Sequence, residues 1–254
     1  MTDEEKLRTL LSIFDIGIIV KTSTVSTNTD GKKLFRSGLS SPVLIVADEQ
    51  TGGRGRQGKT FLSPRGGLYM TLVLPLAAPI GDAVMATSCS AVAVSRALGR
   101  FGIDCGIKWV NDIYSGEKKV CGILAESVFA GDKPEFTVVG IGMNLFEPAD
   151  GYGKYDDVAG AVLPGVTNEP ALLNKVAATV ADNFWEIYRE GDTDGVYRRY
   201  KEGLCHLERE VTVRKKDGDV TAFAADLDRN YRLLVRYADG REEYLSSGEI
   251  GIIL

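Results

Sequence analysis

TGGRGRQGKTFLSPRGGLYM, Thr51 to Met70, is the stretch whose reading decides the fold. Its first half satisfies two nucleotide-binding patterns. Gly53 to Thr60 matches G-x-x-x-x-G-K-[ST], the phosphate loop, and Gly53, Gly55 and Gly58 match G-x-G-x-x-G, the dinucleotide fingerprint. Both devices need the glycine turn to lead straight into a helix whose first N–H groups hold phosphate. Pro64, Gly66 and Gly67 follow instead. A helix interior loses about 1 kcal/mol for each Gly and about 3 kcal/mol for a Pro. The stretch therefore reads as a glycine-rich loop between two strands, with Arg54, Arg56, Lys59 and Arg65 as cations able to wrap an anion. The bland alternative is a solvated basic hairpin.

Working outward, SPVLIVADEQ is almost continuously apolar from Val43 to Ala47, as a strand buried on both faces should be. Before it come a short amphipathic helix, the β-branched run IIVKTSTVS, and a helix capped by Ser26 or Thr27 that runs through Phe35. After the loop, GLYMTLVLPL reads as a strand. Residues 81–102 read as a buried helix with Val84, Ala91, Leu98 and Phe101 near one face and Gly102 past its end. CGIKWVNDIY, KVCGILAESVFA and EFTVVGIGMNL are three strands, the last two antiparallel across AGDKP. A Gly/Asp/Pro-rich loop from Phe146 to Thr167 is long enough to be functional. Asn168 then caps a long helix, with Val176, Val180, Phe184 and Tyr188 as its apolar stripe and Gly191 near its end.

Past Gly203 the texture changes to four short β-type runs with Asp217-Gly218 and Asp239-Gly240 turns. The expected class is α+β: a mixed β-sheet with packed helices over residues 1–205, and a small β module over 206–254 packed against it.

Composition excludes several functions. The 254-residue chain has a net charge of −5, so its basic clusters are local features and not the footprint of a general nucleic-acid binder. No apolar run approaches a membrane span, and the acidic MTDEEK has the wrong charge for a secretory signal, so a cytoplasmic protein is expected. Cys89, Cys105, Cys121 and Cys205 form no C-x-x-C pair and read as reduced thiols. His206, the sole histidine, reads as a surface or half-buried structural residue, and no metal site is visible.

Four motifs in order carry a family resemblance: STN at Ser26 to Asn28, E-x-T-G-G-R-G-R-Q-G, KWVNDIY followed by KKVCGIL, and GIGMNL. Together they resemble the biotin protein ligases, from about Ile18 to the C-terminus. The resemblance implies the catalytic fold shared with lipoate ligases and class II aminoacyl-tRNA synthetases, and an SH3-like β-barrel at the C-terminus. It implies a reaction in which ATP, with Mg2+, activates biotin as biotinyl-5′-AMP for transfer to a lysine of a biotin carboxyl carrier protein. Lys119 then resembles the catalytic lysine, with Lys118 a solvated turn residue, and Asp112 would orient Lys119 or help place magnesium. Ser26, Thr27, Asn28 and Gln50 would bind biotin. Gly53, Arg54, Gly55 and Arg56 would form a loop that closes over biotin and nucleotide, and Asn144 would lie near the base. An ordinary helix cap at Ser26 to Asn28 and a buried turn amide at Asn144 are the bland counterparts.

Val110 stands where the family usually has Pro, which changes backbone rigidity and no chemistry. The first strand begins near Ile18, so the expectation is a short form with no DNA-binding domain; a homodimer is compatible with the resemblance. Two rivals remain open. One is a lipoate-protein ligase, whose first loop typically reads R-R-x-S-G-G-G; the other is a noncatalytic anion-binding adaptor.

Overall fold

The computed structural model describes residues 2–13, 15–75, 83–130, 133–166, 169–215, 217–246 and 250–252. Helices are α1 (Glu4–Leu10), α2 (Thr27–Arg36), α3 (Ala83–Arg100), α4 (Pro170–Glu190) and α5 (Thr193–Glu202). Strands of the larger sheet are β1 (Gly17–Lys21), β2 (Val43–Ala47), β3 (Leu68–Pro75), β4 (Gly106–Lys108), β5 (Asp112–Ser115), β6 (Lys118–Ala130) and β7 (Lys133–Met143). Their order is β1-β2-β3-β7-β6-β5-β4, with β1 parallel to β2 and every other pair antiparallel.

Helices cover both faces of this sheet, which is why β2 reads as an unbroken apolar run. Leu44 and Val46 join the main core with α3 and α4, while Val43 and Ile45 pack with Val73, Phe136 and Val138 beneath Leu34 and Phe35 of α2. Gly31 lets α2 approach closely, since a Cβ there would lie 2.8 Å from Val73.

Several expectations need correction. CGIKWVNDIY is not one strand but the β4–β5 hairpin, turning at Trp109–Asn111 with a cis peptide between Trp109 and Val110. Val84 does not belong to the buried face of α3; it is exposed, and Ala86, Ser90, Ala93 and Ala97 point inward. Asn168 lies outside the described residues, as do Gly131 and Asp132 of the AGDKP turn, and the N-cap of α4 is Glu169. Helix α5 went unread because Gly195 disguises it. The Asp192 carboxylate caps the helix by accepting from the Gly195 N–H at 2.8 Å, and a Cβ at Gly195 would make that carboxylate shift.

The C-terminal module has five strands, not four: β8 (Arg209–Lys215), β9 (Gly218–Leu227), β10 (Leu233–Tyr237), β11 (Glu242–Leu245) and β12 (Ile250–Ile252). They form an antiparallel sheet ordered β11-β10-β9-β8-β12, and among the described residues no β11–β12 pairing closes it into a barrel. The module is fastened to the larger domain by Trp109 Nε1 donating to Tyr231 O at 2.9 Å and by the Tyr197 hydroxyl donating to Leu227 O at 2.5 Å. His206 sits at this seam and is fully buried, where a surface or half-buried structural residue was expected. Burial, with Lys108 nearby, pushes its pKa down to about 4. No helix among the described residues is long and apolar enough to cross a membrane.

Candidate active site

The site lies on the α2 side of the large sheet, in a cavity of about 760 Å³ beyond the first turn of α2. No helix follows the glycine-rich loop, which runs between antiparallel β2 and β3 as the Pro/Gly content required.

One end is polar and wired in place. Ser26 is the N-cap of α2, accepting from Thr29 N, and Thr27 and Asn28 are buried in the first turn. Gln50 Oε1 accepts from Thr27 N at 2.9 Å, and its Nε2 donates to Ser63 Oγ at 3.0 Å. Asn28 Nδ2 donates to Leu124 O and to Glu126 Oε2 at 3.1 and 3.0 Å, while the Thr71 hydroxyl lies 2.7 Å from Asn28 Oδ1. Buried amides partnered at both ends are fixed in orientation. Glu126 also pairs with Lys32 at 2.6 Å. Burial alone would raise its pKa, but hydrogen bonds from Lys32 and Asn28 outweigh burial and hold it below the usual range.

The floor is bare backbone. Gly140 and Gly142 alternate along β7 and so face the same side, and Gly142 is paired with Gly122 of β6. A Cβ on Gly140 would lie 2.3 Å from Asn28 Oδ1, and one on Gly142 2.6 Å from the Phe61 ring. The loop approaches just as closely: a Cβ on Gly53 would lie 2.4 Å from Phe61 O.

The other end is cationic. Lys119 Nζ pairs with Asp112 Oδ1 at 2.7 Å. Arg56 Nη1 donates to Asn111 Oδ1 at 3.2 Å, and burial lowers the pKa of its guanidinium against the opposing pull of Asp112. Lys108 Nζ donates to the Tyr114 hydroxyl at 3.1 Å; burial lowers the pKa of the amine and raises that of the phenol to about 12. The 146–163 loop is sewn to this end, with Lys119 N donating to Val158 O at 2.8 Å and Gly160 N to Lys119 O at 3.0 Å. Asn144 Nδ2 donates to Gly160 O at 3.2 Å. Lys118 is more than a solvated turn residue: its ammonium donates to the carbonyls of Asp156 and Asp157 at 2.9 and 2.8 Å.

The structure thus brings Ser26, Thr27, Asn28, Gln50, Arg54, Gly55, Arg56, Asp112, Lys119 and Asn144 to one cavity, with Gly53 behind the loop. Arg54 and Arg56 part company, however. Arg54 Nη2 donates to Thr29 Oγ1 at 3.0 Å at the α2 end, whereas Arg56 turns toward Asn111. Sequence reasoning missed Phe61, Thr71, Lys108, Glu126 and the three floor glycines. Only Gly140 and Gly142 left a signal, in the period-two GIG of the strand. Among the described residues no group of three or more His, Cys, Asp or Glu is placed to hold a metal ion.

Comparison with known proteins agrees with this arrangement. Residues 19–144 match the biotin/lipoate A/B protein ligase family, and residues 206–251 match the biotin protein ligase C-terminal domain. A biotin–[acetyl-CoA-carboxylase] ligase of Paracoccus denitrificans is 40% identical over 150 residues, 57% of this chain and 58% of that protein, so the match spans little more than half of that relative's length. One from Mycobacterium tuberculosis is 31% identical over 98% of both chains. The solved biotin protein ligase of Aquifex aeolicus, in complex with biotin and ATP, superposes with a TM-score of 0.74 at 25% identity, over 93% of this chain and 98% of that one. With a family domain over the site, a C-terminal domain of the same family and a full-length relative, the chain belongs to the biotin protein ligases of the biotin/lipoate A/B protein ligase family.

Proposed function

We propose that this chain uses ATP to activate biotin as biotinyl-5′-AMP and transfers the biotinyl group to a lysine of a biotin carboxyl carrier protein. The observation that carries this reading is the Lys119–Asp112 pair at one end of a glycine-floored cavity whose other end is lined by fixed, uncharged hydrogen-bonding groups. A neutral bicyclic ureido group offers donors and an acceptor to such groups, and bare strand backbone admits a flat ring system.

A carboxylate is a poor electrophile, so activation must precede transfer. The biotin carboxylate and the α-phosphate are both anionic, and Lys119, fixed by Asp112, is a point charge aimed where they meet. Catalysis here is positioning plus charge neutralisation, without a covalent enzyme intermediate. Ser26, Thr27, Asn28 and Gln50 hold biotin; Gly53, Gly55 and Arg56 let the loop cover the adenylate; Asn144 faces the base. Mg2+ would accompany ATP and neutralise its phosphates, and Asp112, besides orienting Lys119, would be the carboxylate available to help place it. We assign residues 1–205 to the catalytic domain and 206–254 to the C-terminal module, and place the enzyme in the cytoplasm.

The test is pyrophosphate release with ATP, magnesium and either biotin or lipoate. Biotin-dependent release is the expected result. Lipoate-dependent release supports the rival ligase, and no release with either supports a noncatalytic adaptor.

A further inference from the structure

We propose that Glu126, which stands outside the cavity, is a positioning residue for biotin: its charge fixes the direction of the Asn28 amide and so keeps the Thr27 hydroxyl oxygen open to accept an N–H of the ligand. This rests on the biotin reading above. Side chains alternate along β6, so Gly122, Leu124 and Glu126 share the α2 face; the first two line the cavity, and Glu126 lies beyond them against Asn28. Donors converge on its carboxylate from α2 and from the glycine-rich loop. Lys32 Nζ holds one oxygen at 2.6 Å, Asn28 Nδ2 lies 3.0 Å from the other, and Arg54 Nη2 is 4.0 Å from that same oxygen. Burial opposes the charge, yet the hydrogen bonds from Lys32 and Asn28 prevail, so the group is a carboxylate that only accepts.

A one-way acceptor imposes an order on the groups behind it. Asn28 faces Glu126 Oε2 and, at 3.1 Å, the Leu124 carbonyl; both are acceptors, so its NH2 points at them and its Oδ1 turns to the Thr71 hydroxyl at 2.7 Å. The Thr71 hydroxyl is also 2.8 Å from Thr27 Oγ1, but it has a single proton, and a buried amide oxygen left without a donor is costly. The proton therefore goes to Asn28. Thr27 directs its own proton at Gln50 Oε1, 3.2 Å away, which leaves the lone pairs of Thr27 Oγ1 for the cavity that Thr27 lines. A ureido group offers N–H donors to such an acceptor.

A neutral amide in place of the carboxylate reverses this order. In Glu126→Gln, Lys32 retains the carbonyl oxygen of the new side chain, whose NH2 then confronts the NH2 of Asn28. Asn28 rotates, its NH2 donates to Thr71 Oγ1, and the Thr71 proton moves onto Thr27 Oγ1, where it competes with the ligand.

Calorimetric biotin binding and steady-state adenylate formation on the full chain test this. Glu126→Gln should raise the biotin Kd and KM about tenfold, as a hydrogen bond lost in a buried site does, while kcat and the ATP KM stay within about twofold of the wild type. Asn28→Asp should also weaken biotin binding, because two carboxylates then face each other at 3.0 Å. Combining the two substitutions moves the negative charge from one partner to the other and restores a donor–acceptor pair, so the double variant should bind biotin more tightly than both single variants. A double variant no tighter than the better single one, an unchanged biotin Kd in Glu126→Gln, or a parallel loss of kcat and ATP KM overturns the assignment. Wild-type protein that binds no biotin overturns the biotin reading itself, a result distinct from any difference among the variants.

Discussion

Lys119 Nζ lies 2.7 Å from Asp112 Oδ1 across the β5–β6 hairpin, although their strand register places Asp112 opposite Gly122 and Lys119 opposite Tyr114. A register shift between Ile113 and Tyr114 twists the hairpin so that the two side chains meet over the glycine floor. Lys119→Ala should cut biotinyl-adenylate formation by a factor of about 10² to 10³, the usual cost of one preorganised charge, while the melting temperature stays near that of the wild type. Asp112→Asn should leave biotin binding intact and slow activation less severely. Single-turnover adenylate formation checks both, and near wild-type rates in Lys119→Ala would remove it from the chemistry.

Gly140→Ala puts a methyl carbon 2.3 Å from Asn28 Oδ1, in a strand that offers no slack. Overpacking of this kind costs about 1–3 kcal/mol, and here it also dislodges the amide that Thr71 and Glu126 hold. Weakened biotin binding, by titration calorimetry, with a lower unfolding midpoint in denaturant, is the expected pair of effects.

Arg56→Gly removes the guanidinium that closes the loop onto Asn111. Activated biotinyl-adenylate should then escape before transfer and label bystander lysines on an added protein such as serum albumin. The readout is streptavidin blotting of the bystander, and full adenylate retention by the variant would count against a gating role.

His206 is buried and held neutral, with its pKa pushed down from 6.5 to about 4 by burial and Lys108. A depressed folded-state pKa means that the unfolded chain binds the proton first, so stability falls as pH drops from about 6.5 toward 4 and levels off below. His206→Phe should flatten that acid limb in thermal melts between pH 7 and 4, whatever its effect on absolute stability.

Most elements were legible because their causes are local. Residues 43–47 form a strand buried on both faces, Ser26 caps a helix, and Pro64 with Gly66 and Gly67 forbids the helix that either nucleotide pattern needs. What escaped depends on partners distant in sequence. Helix α5 begins where the Asp192 carboxylate caps it at the Gly195 N–H. Lys118 reads as solvated until the carbonyls of residues 156 and 157 arrive beneath it. Glu126 carries no motif, yet it anchors Asn28 from 98 residues away.

By itself, then, the sequence determined the class of fold, the character of the Thr51–Met70 loop, and the ordered motifs that supply Lys119, Asp112 and the α2 cap. Only the tertiary structure decided which of these groups meet. Periodicity and turn chemistry act within a few residues, whereas a cavity is made by sheet order and close packing. Placing β7 between β3 and β6 lays Gly140 under Asn28, and docking the C-terminal sheet at Trp109 brings Arg214 to the rim that holds Lys108.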